Sequence, residues 1–212
     1  MRLILYYIFA FIIVDLFVSC HHRSISTETS YEDSIIVFYY RGIEFETSAS
    51  IPCDETKKRF LSFEVDKTRA YEVMVEEKKV ISSTIYKRIK NLIDSLQYKS
   101  NHSICDTRIF VQADSIGFCI GPSWSNCLCS STNSDFENNL LLAYLIKWKS
   151  GYYNYFSEEI LKEDIGVRYY GLPFDYHYTN RYSFMKGQGT MPPFRTISKV
   201  IIYPDSVNLS QL

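Results

Sequence analysis

The sequence predicts an α+β fold: an antiparallel sheet built from hairpins, two amphipathic helices packed on one of its faces, and an aromatic-rich C-terminal extension. Three observations carry this reading. Alternating apolar runs flank two-residue turn signals at Arg41-Gly42 and Asp114-Ser115, apolar residues recur at helical spacing between Ile81 and Leu96, and a second helical stretch follows Ser134.

The first hairpin is expected over residues 34–48. Ile36, Phe38 and Tyr40 alternate with Ile35, Val37 and Tyr39, and after Arg41-Gly42 the residues Ile43, Phe45 and Thr47 alternate with charged or polar ones. A two-residue turn sets Phe38 opposite Phe45 on one side of the ribbon. Glycine at the second turn position accepts the positive φ that such a turn requires. Pro52 closes this unit, Asp54 to Arg59 reads as a short helix or loop, and Leu61, Phe63 and Val65, then Tyr71, Val73 and Val75, read as two further strands.

From Val80 the period changes. Ile81, Ile85, Ile89, Leu92, Ile93 and Leu96 share one helical face, with Lys87, Arg88, Lys90 and Asp94 opposite, which predicts an amphipathic helix. Residues Thr107 to Ile120 predict the second hairpin. An Asp114-Ser115 turn places Ile109, Val111 and Ala113 across from Ile120, Phe118 and Ile116, and Cys119 across from Phe110. That register puts Cys105 about 16 Å along the strand from Cys119 at roughly 3.3 Å per residue, too far for a disulfide. Next, Ser134 followed by Glu137 forms a capping-box pattern before a helix to about Lys149, with Phe136, Leu140, Leu141, Tyr144, Leu145 and Trp148 as its buried face and Ser150-Gly151 as its stop.

The N-terminus carries an address. Arg2 and the free amino group precede an apolar run from Leu3 to Val18, followed by Ser19, Cys20 and the polar His21-His22-Arg23, the layout of an export signal. The run is shorter than the roughly 20 residues needed to span a bilayer, and Asp15 within it costs about 3 kcal/mol in mid-bilayer. Phe17-Val18-Ser19-Cys20 resembles the lipobox of bacterial lipoproteins, with Phe17 where leucine is usual. This implies cleavage before Cys20, acylation of its thiol by palmitate or a similar chain, and attachment to the outer membrane or the periplasm-facing inner membrane. The expected organisation is a signal over 1–20, a polar tether over 21–33, an α+β domain over 34–150 and an aromatic extension over 151–212 packed on it.

Cys53, Cys105, Cys119, Cys127 and Cys129 remain beyond the anchor, an odd number in an oxidising compartment. Isolated Cys53 is expected as a buried free thiol, and the pairing of the others is left open. Cys127-Leu128-Cys129 lacks the usual zinc-knuckle spacing, so no metal or cofactor is expected. The formal net charge of −1, with lysines interspersed among acids, indicates no nucleic-acid partner. Charge runs such as Glu76-Glu77-Lys78-Lys79 read as solvated faces.

The order of these elements, with Ile85-Tyr86-Lys87-Arg88-Ile89 in the first helix, the Asp106-Thr107-Arg108-Ile109 strand and the lipobox-like signal, resembles small lipoproteins of Bacteroidetes over residues 1–149. The resemblance brings no activity or catalytic residue with it. The segment beyond Gly151 departs from that pattern and is rich in tyrosine and phenylalanine. Its rings are expected mainly to pack on the domain. Tyr169, Tyr170, Tyr176, Tyr178 and Tyr182 are the candidates for a stacking surface that meets a protein, peptide or glycan. Within it, Phe156 to Lys162 reads as a short helix, and Val167 to Tyr170 and Thr196 to Tyr203 as strands.

A nucleophilic enzyme needs a base beside its serine or cysteine, and neither His102 nor His177 adjoins a nucleophile motif. The resulting expectation is an exported, membrane-anchored lipoprotein acting as a non-enzymatic binding module. The alternative is an envelope hydrolase using Asp175 and His177 with a nucleophile delivered by folding.

Overall fold

The computed structural model describes residues 34–42, 51–65, 72–96, 107–121, 136–179 and 195–207. They form five strands and several helices in the order β1 (Ile35–Tyr40), α1 (Cys53–Val65), β2 (Glu72–Ile81), α2 (Ser83–Asp94), β3 (Ile109–Ala113), β4 (Ile116–Ile120), α3 (Phe136–Ser150), a 3-10 turn (Tyr152–Tyr155), α4 (Glu158–Leu161), α5 (Ile165–Tyr170) and β5 (Arg195–Pro204). The α+β class is as expected. The sheet, of order β2-β5-β1-β3-β4, is mixed: β2 pairs parallel to β5 while the other pairs are antiparallel. Among the described residues no helix is long and apolar enough to cross a membrane.

β1 explains the first departure. Its side chains are apolar on both faces, the mark of a central strand covered on each side. Ile35, Val37 and Tyr39 enter one cluster and Phe38 the other. Both of its edges are taken, by β3 and by β5, so the hairpin expected with residues 43–48 has no edge left on β1. Gly42 does take the positive φ, at 69°, but those partner residues lie outside the described ones.

The second hairpin forms in the expected register, with Phe110 opposite Cys119 and Ala113 opposite Ile116. Cys119 is bonded to Cys53, with Cα atoms 5.6 Å apart. The exclusion of a Cys105–Cys119 bridge therefore holds, and the free thiol expected at Cys53 is corrected. The cause lies in α1, which is a single helix through Val65 and not a loop followed by a strand. Cys53, Thr56 and Phe60 recur at i, i+3 and i+7 and face the sheet, a stronger demand than the alternation of Leu61, Phe63 and Val65. Phe60 stacks 5.8 Å from Phe38, and Thr56 Oγ1 donates to Thr107 O at 3.1 Å. Cys105, Cys127 and Cys129 lie outside the described residues.

Helix α2 begins later than its apolar period suggested. Val80 and Ile81 extend β2 opposite Tyr203 and Pro204, since β-branched residues suit a strand. Ser82 then caps the helix, its Oγ accepting from Ile85 N at 3.4 Å. Tyr86, Ile89 and Ile93 form the buried stripe. Helix α3 is less amphipathic than expected: Leu142, Ala143, Ile146 and Lys147 are buried alongside Leu140, Tyr144 and Leu145, whereas Phe136 is 53% exposed. Residues from α2, α3, α4, α5 and the 3-10 turn share one cluster with one face of the sheet. Among the described residues, α1 alone packs the other face.

The segment from 151 onward does more than pack against a finished domain. Its last strand, β5, lies between β2 and β1 within the sheet. The expected helix around 156–162 is present as α4. The strand expected at Val167 to Tyr170 is instead helix α5, because Asp164 Oδ1 accepts from Val167 N at 3.0 Å as an N-cap and Gly171, at φ 80°, ends the turn. A cap at each end outweighs the strand preference of Val167, Tyr169 and Tyr170.

Candidate functional site

Where β2 ends, α2 begins and α3 stops, the chain leaves a cleft of about 780 Å³. Lys79 to Ser82 and Ile85 form one wall, Trp148, Lys149 and Gly151 another, and Asn154 with Pro173, Phe174, Asp175 and His177 the rest. The size suits a small organic ligand or a short peptide end.

Its floor is organised by the C-terminus of α3. Ser150 O accepts from Lys79 Nζ at 2.9 Å and from Tyr39 Oη at 3.1 Å. A cation here meets the negative end of the helix and one of its unpaired carbonyls. Gly151 permits this approach, because it has φ 81° and a Cβ on it would collide with Lys79 Nζ. Burial holds the Lys79 ammonium below the ordinary lysine range, with Glu77 and Asp175 pulling it back and Arg41 adding to the drop. Glu77 is itself committed to Arg41, 2.5 Å away.

Above the floor, Lys149 Nζ lies 3.3 Å from the centroid of the Trp148 ring and 5.9 Å from that of Phe174, a cation–π arrangement. Among the described residues its ammonium makes no hydrogen bond or ion pair. Burial lowers its pKa and Asp175 raises it. Trp148 meets Phe174 edge to face at 5.6 Å, and Phe174 is 89% exposed. The positive end of α2 is not available to a ligand, since Asp205 accepts from both Ser83 N, at 2.9 Å, and Ser83 Oγ. The cleft therefore offers two ammonium groups and the Asn154 amide against a single carboxylate, Asp175, which the Trp148 indole already engages at 2.5 Å.

His177 and Asp175 both line this cleft, but not as a catalytic pair. His177 Nδ1 sits 3.3 Å from the Asp175 backbone carbonyl, not from its carboxylate. Among the described residues no serine or cysteine hydrogen-bonds to the imidazole, and no three His, Cys, Asp or Glu side chains gather as a metal site. His102 lies outside them.

The candidate stacking tyrosines do not act as one set. Tyr169 is 65% exposed on α5, and the neighbouring Tyr170 rests 5.0 Å from the Tyr144 ring. Tyr178 is exposed in the following loop. Tyr176 is a packing residue: its ring lies against the core and its hydroxyl donates to Phe156 O at 2.7 Å. Tyr182 and Cys20 lie outside the described residues. The sequence reading overlooked Lys79, Lys149, Trp148 and Phe174 as a group. Lys79 was hidden in a charge run, although its alternation with Ile81 places both on the sheet face that the helices cover.

No family model, curated protein or solved structure matches the chain. The arrangement of side chains is what carries a functional reading.

Proposed function

We propose that this protein is an exported lipoprotein, held in the cell envelope through an acyl chain on Cys20, and that it works as a binding module whose ligand site is the cleft beside Lys79 and Lys149. The observation that carries the binding half is the excess of hydrogen-bond donors and positive charge in a cleft with apolar walls. Such a site favours a ligand bearing an anionic group at one end and an apolar or ring-shaped group at the other. The address half rests on the N-terminal signal and its lipobox-like end. A hydrolytic role gains no support from His177, whose ring faces a backbone carbonyl.

Each half has its own test. Cells fed a palmitate analogue should label the wild-type protein and not the Cys20→Ala variant; absence of label on the wild type removes the anchor. For the cleft, the Trp124→Phe variant leaves Trp148 as the sole indole. Phenylacetate should quench its emission saturably, with a dissociation constant of about 1 mM as expected for so small a ligand, and neutral phenylacetamide should not. Equal response to both compounds, or to neither, removes the cleft as an anion-selective site.

A further inference from the structure

We infer that the cleft and the outer edge of β2 together form a receptor for an extended peptide that ends in a free carboxylate. The inference rests on the cleft being the ligand site and names its occupant. β2 is a terminal strand of the sheet and pairs with β5 along its whole length, from Glu72 opposite Arg195 to Ile81 opposite Pro204. Among the described residues nothing pairs with its other edge over Val73 to Ile81. An unpaired edge presents a row of backbone donors and acceptors, and strand addition is the common way a protein uses one.

Direction follows from charge. β2 runs toward the cleft, since Lys79, Val80 and Ile81 at its end line the wall. A peptide added parallel to β2 brings its C-terminal carboxylate to Lys79 and Lys149. One added antiparallel brings its terminal ammonium to the same two cations, an unfavourable meeting. Lys79 Nζ spends one proton on Ser150 O and keeps two for a ligand, while Lys149 Nζ lies over the Trp148 ring and makes no hydrogen bond or ion pair among the described residues. The terminal side chain would rest against Ile81, Ile85 and Trp148. A neutral glycan fits less well, because it brings no negative charge to the two ammonium groups that line the cleft.

The test uses the full chain in detergent and a random hexapeptide pool made in two forms, free acid and C-terminal amide. About six residues at roughly 3.3 Å each cover about 20 Å of the edge. The free-acid pool should be retained and the amide pool should not. Lys79→Met and Lys149→Met, checked for folding by circular dichroism, should each weaken retained peptides at least about tenfold, the scale of a lost charge-assisted hydrogen bond. Equal retention of both pools, or of neither, overturns the inference. So does retention of the acid pool that survives the double substitution. An acidic oligosaccharide, oligogalacturonate, bound in place of the peptides would also overturn it. Phenylacetate quenching of Trp148 reports separately on the cleft, so failure with peptides and failure of the cleft itself are told apart.

Discussion

Among the described residues, the face of the sheet beneath α2 and α3 is closed by a broad cluster drawn from every strand, with β2 adding Ile81, and from all the helices except α1, whereas the opposite face is closed by α1, with Phe38, Phe60, Phe110, Cys119 and Ile197 as its buried core. On the broad face the apolar area is large enough to enclose an ion pair: Lys147 Nζ lies 2.7 Å from Asp164 Oδ2, with both side chains 1% exposed. Asp164 is satisfied on all sides, by Lys147, by the Tyr153 hydroxyl at 3.2 Å and by Val167 N. On the narrow face a covalent bond does what area cannot. The Cys53–Cys119 disulfide ties the first residue of α1 to the edge strand β4. The difference teaches that a helix with little to bury is secured by a cross-link, while a helix amid much apolar contact is positioned by a polar group placed where only one arrangement satisfies it.

The largest expected effect breaks the broad face. Lys147→Met strands the Asp164 carboxylate in the core and should cost about 4 kcal/mol in urea unfolding, the range for breaking a buried pair. Adding Asp164→Asn, which keeps an acceptor for Val167 N and removes the charge, should recover most of it. A cost near zero for the single change would mean that the pair does not organise α5.

A smaller loss is expected on the narrow face. Cys53→Ala with Cys119→Ala should cost about 3 kcal/mol, within the range of about 2–5 kcal/mol usual for removing a native disulfide. Hydrogen exchange should localise the loosening to α1, with α2 and α3 protected as before. Uniform loosening of all three helices would erase the distinction between the faces.

The smallest effect compares neighbouring tyrosines on opposite faces. Burial, with Glu72 adding and Arg59 opposing, pushes Tyr40 on the α1 side up to about 12; Tyr39 on the broad side, more deeply buried, is raised further. An unfolded tyrosine titrates near 10. The folded values are the higher ones, so the stability they contribute is complete below about pH 10 and is lost as pH rises through the folded values. Tyr40 should contribute on the order of 1 kcal/mol after solvent screening. A phenolate absorbance titration should show Tyr40→Phe removing a transition near pH 12 that Tyr39→Phe leaves in place. If Tyr39→Phe removes that transition and Tyr40→Phe does not, the α1 face is the better sealed.

Legibility followed the range of the interaction. The β3–β4 register could be read because a two-residue turn and the two-residue pleat leave one solution. Helix α2 could be read from its stripe, though not its start, since Val80 and Ile81 satisfy helix and strand patterns equally. Strand β1 was recognised and mispaired, because alternation records which face a residue takes but not which neighbour lies along each edge. In the candidate site, Asp175 and His177 were singled out as chemistry-bearing types and do line the cleft. Lys79 and Lys149 were not, since a lysine in a charged run acquires meaning only from what folds over it.

Local chemistry thus settled the α+β class, the hairpin and the helical stripes, because each depends on residues within a few positions of one another. Folding settled the rest: β5 inserted between β2 and β1, Cys53 joined to Cys119 across a separation of 66 residues, and Lys79 brought to the end of α3 at a separation of 71. Such pairings depend on which surfaces meet once the apolar faces are buried, and no local period encodes that choice.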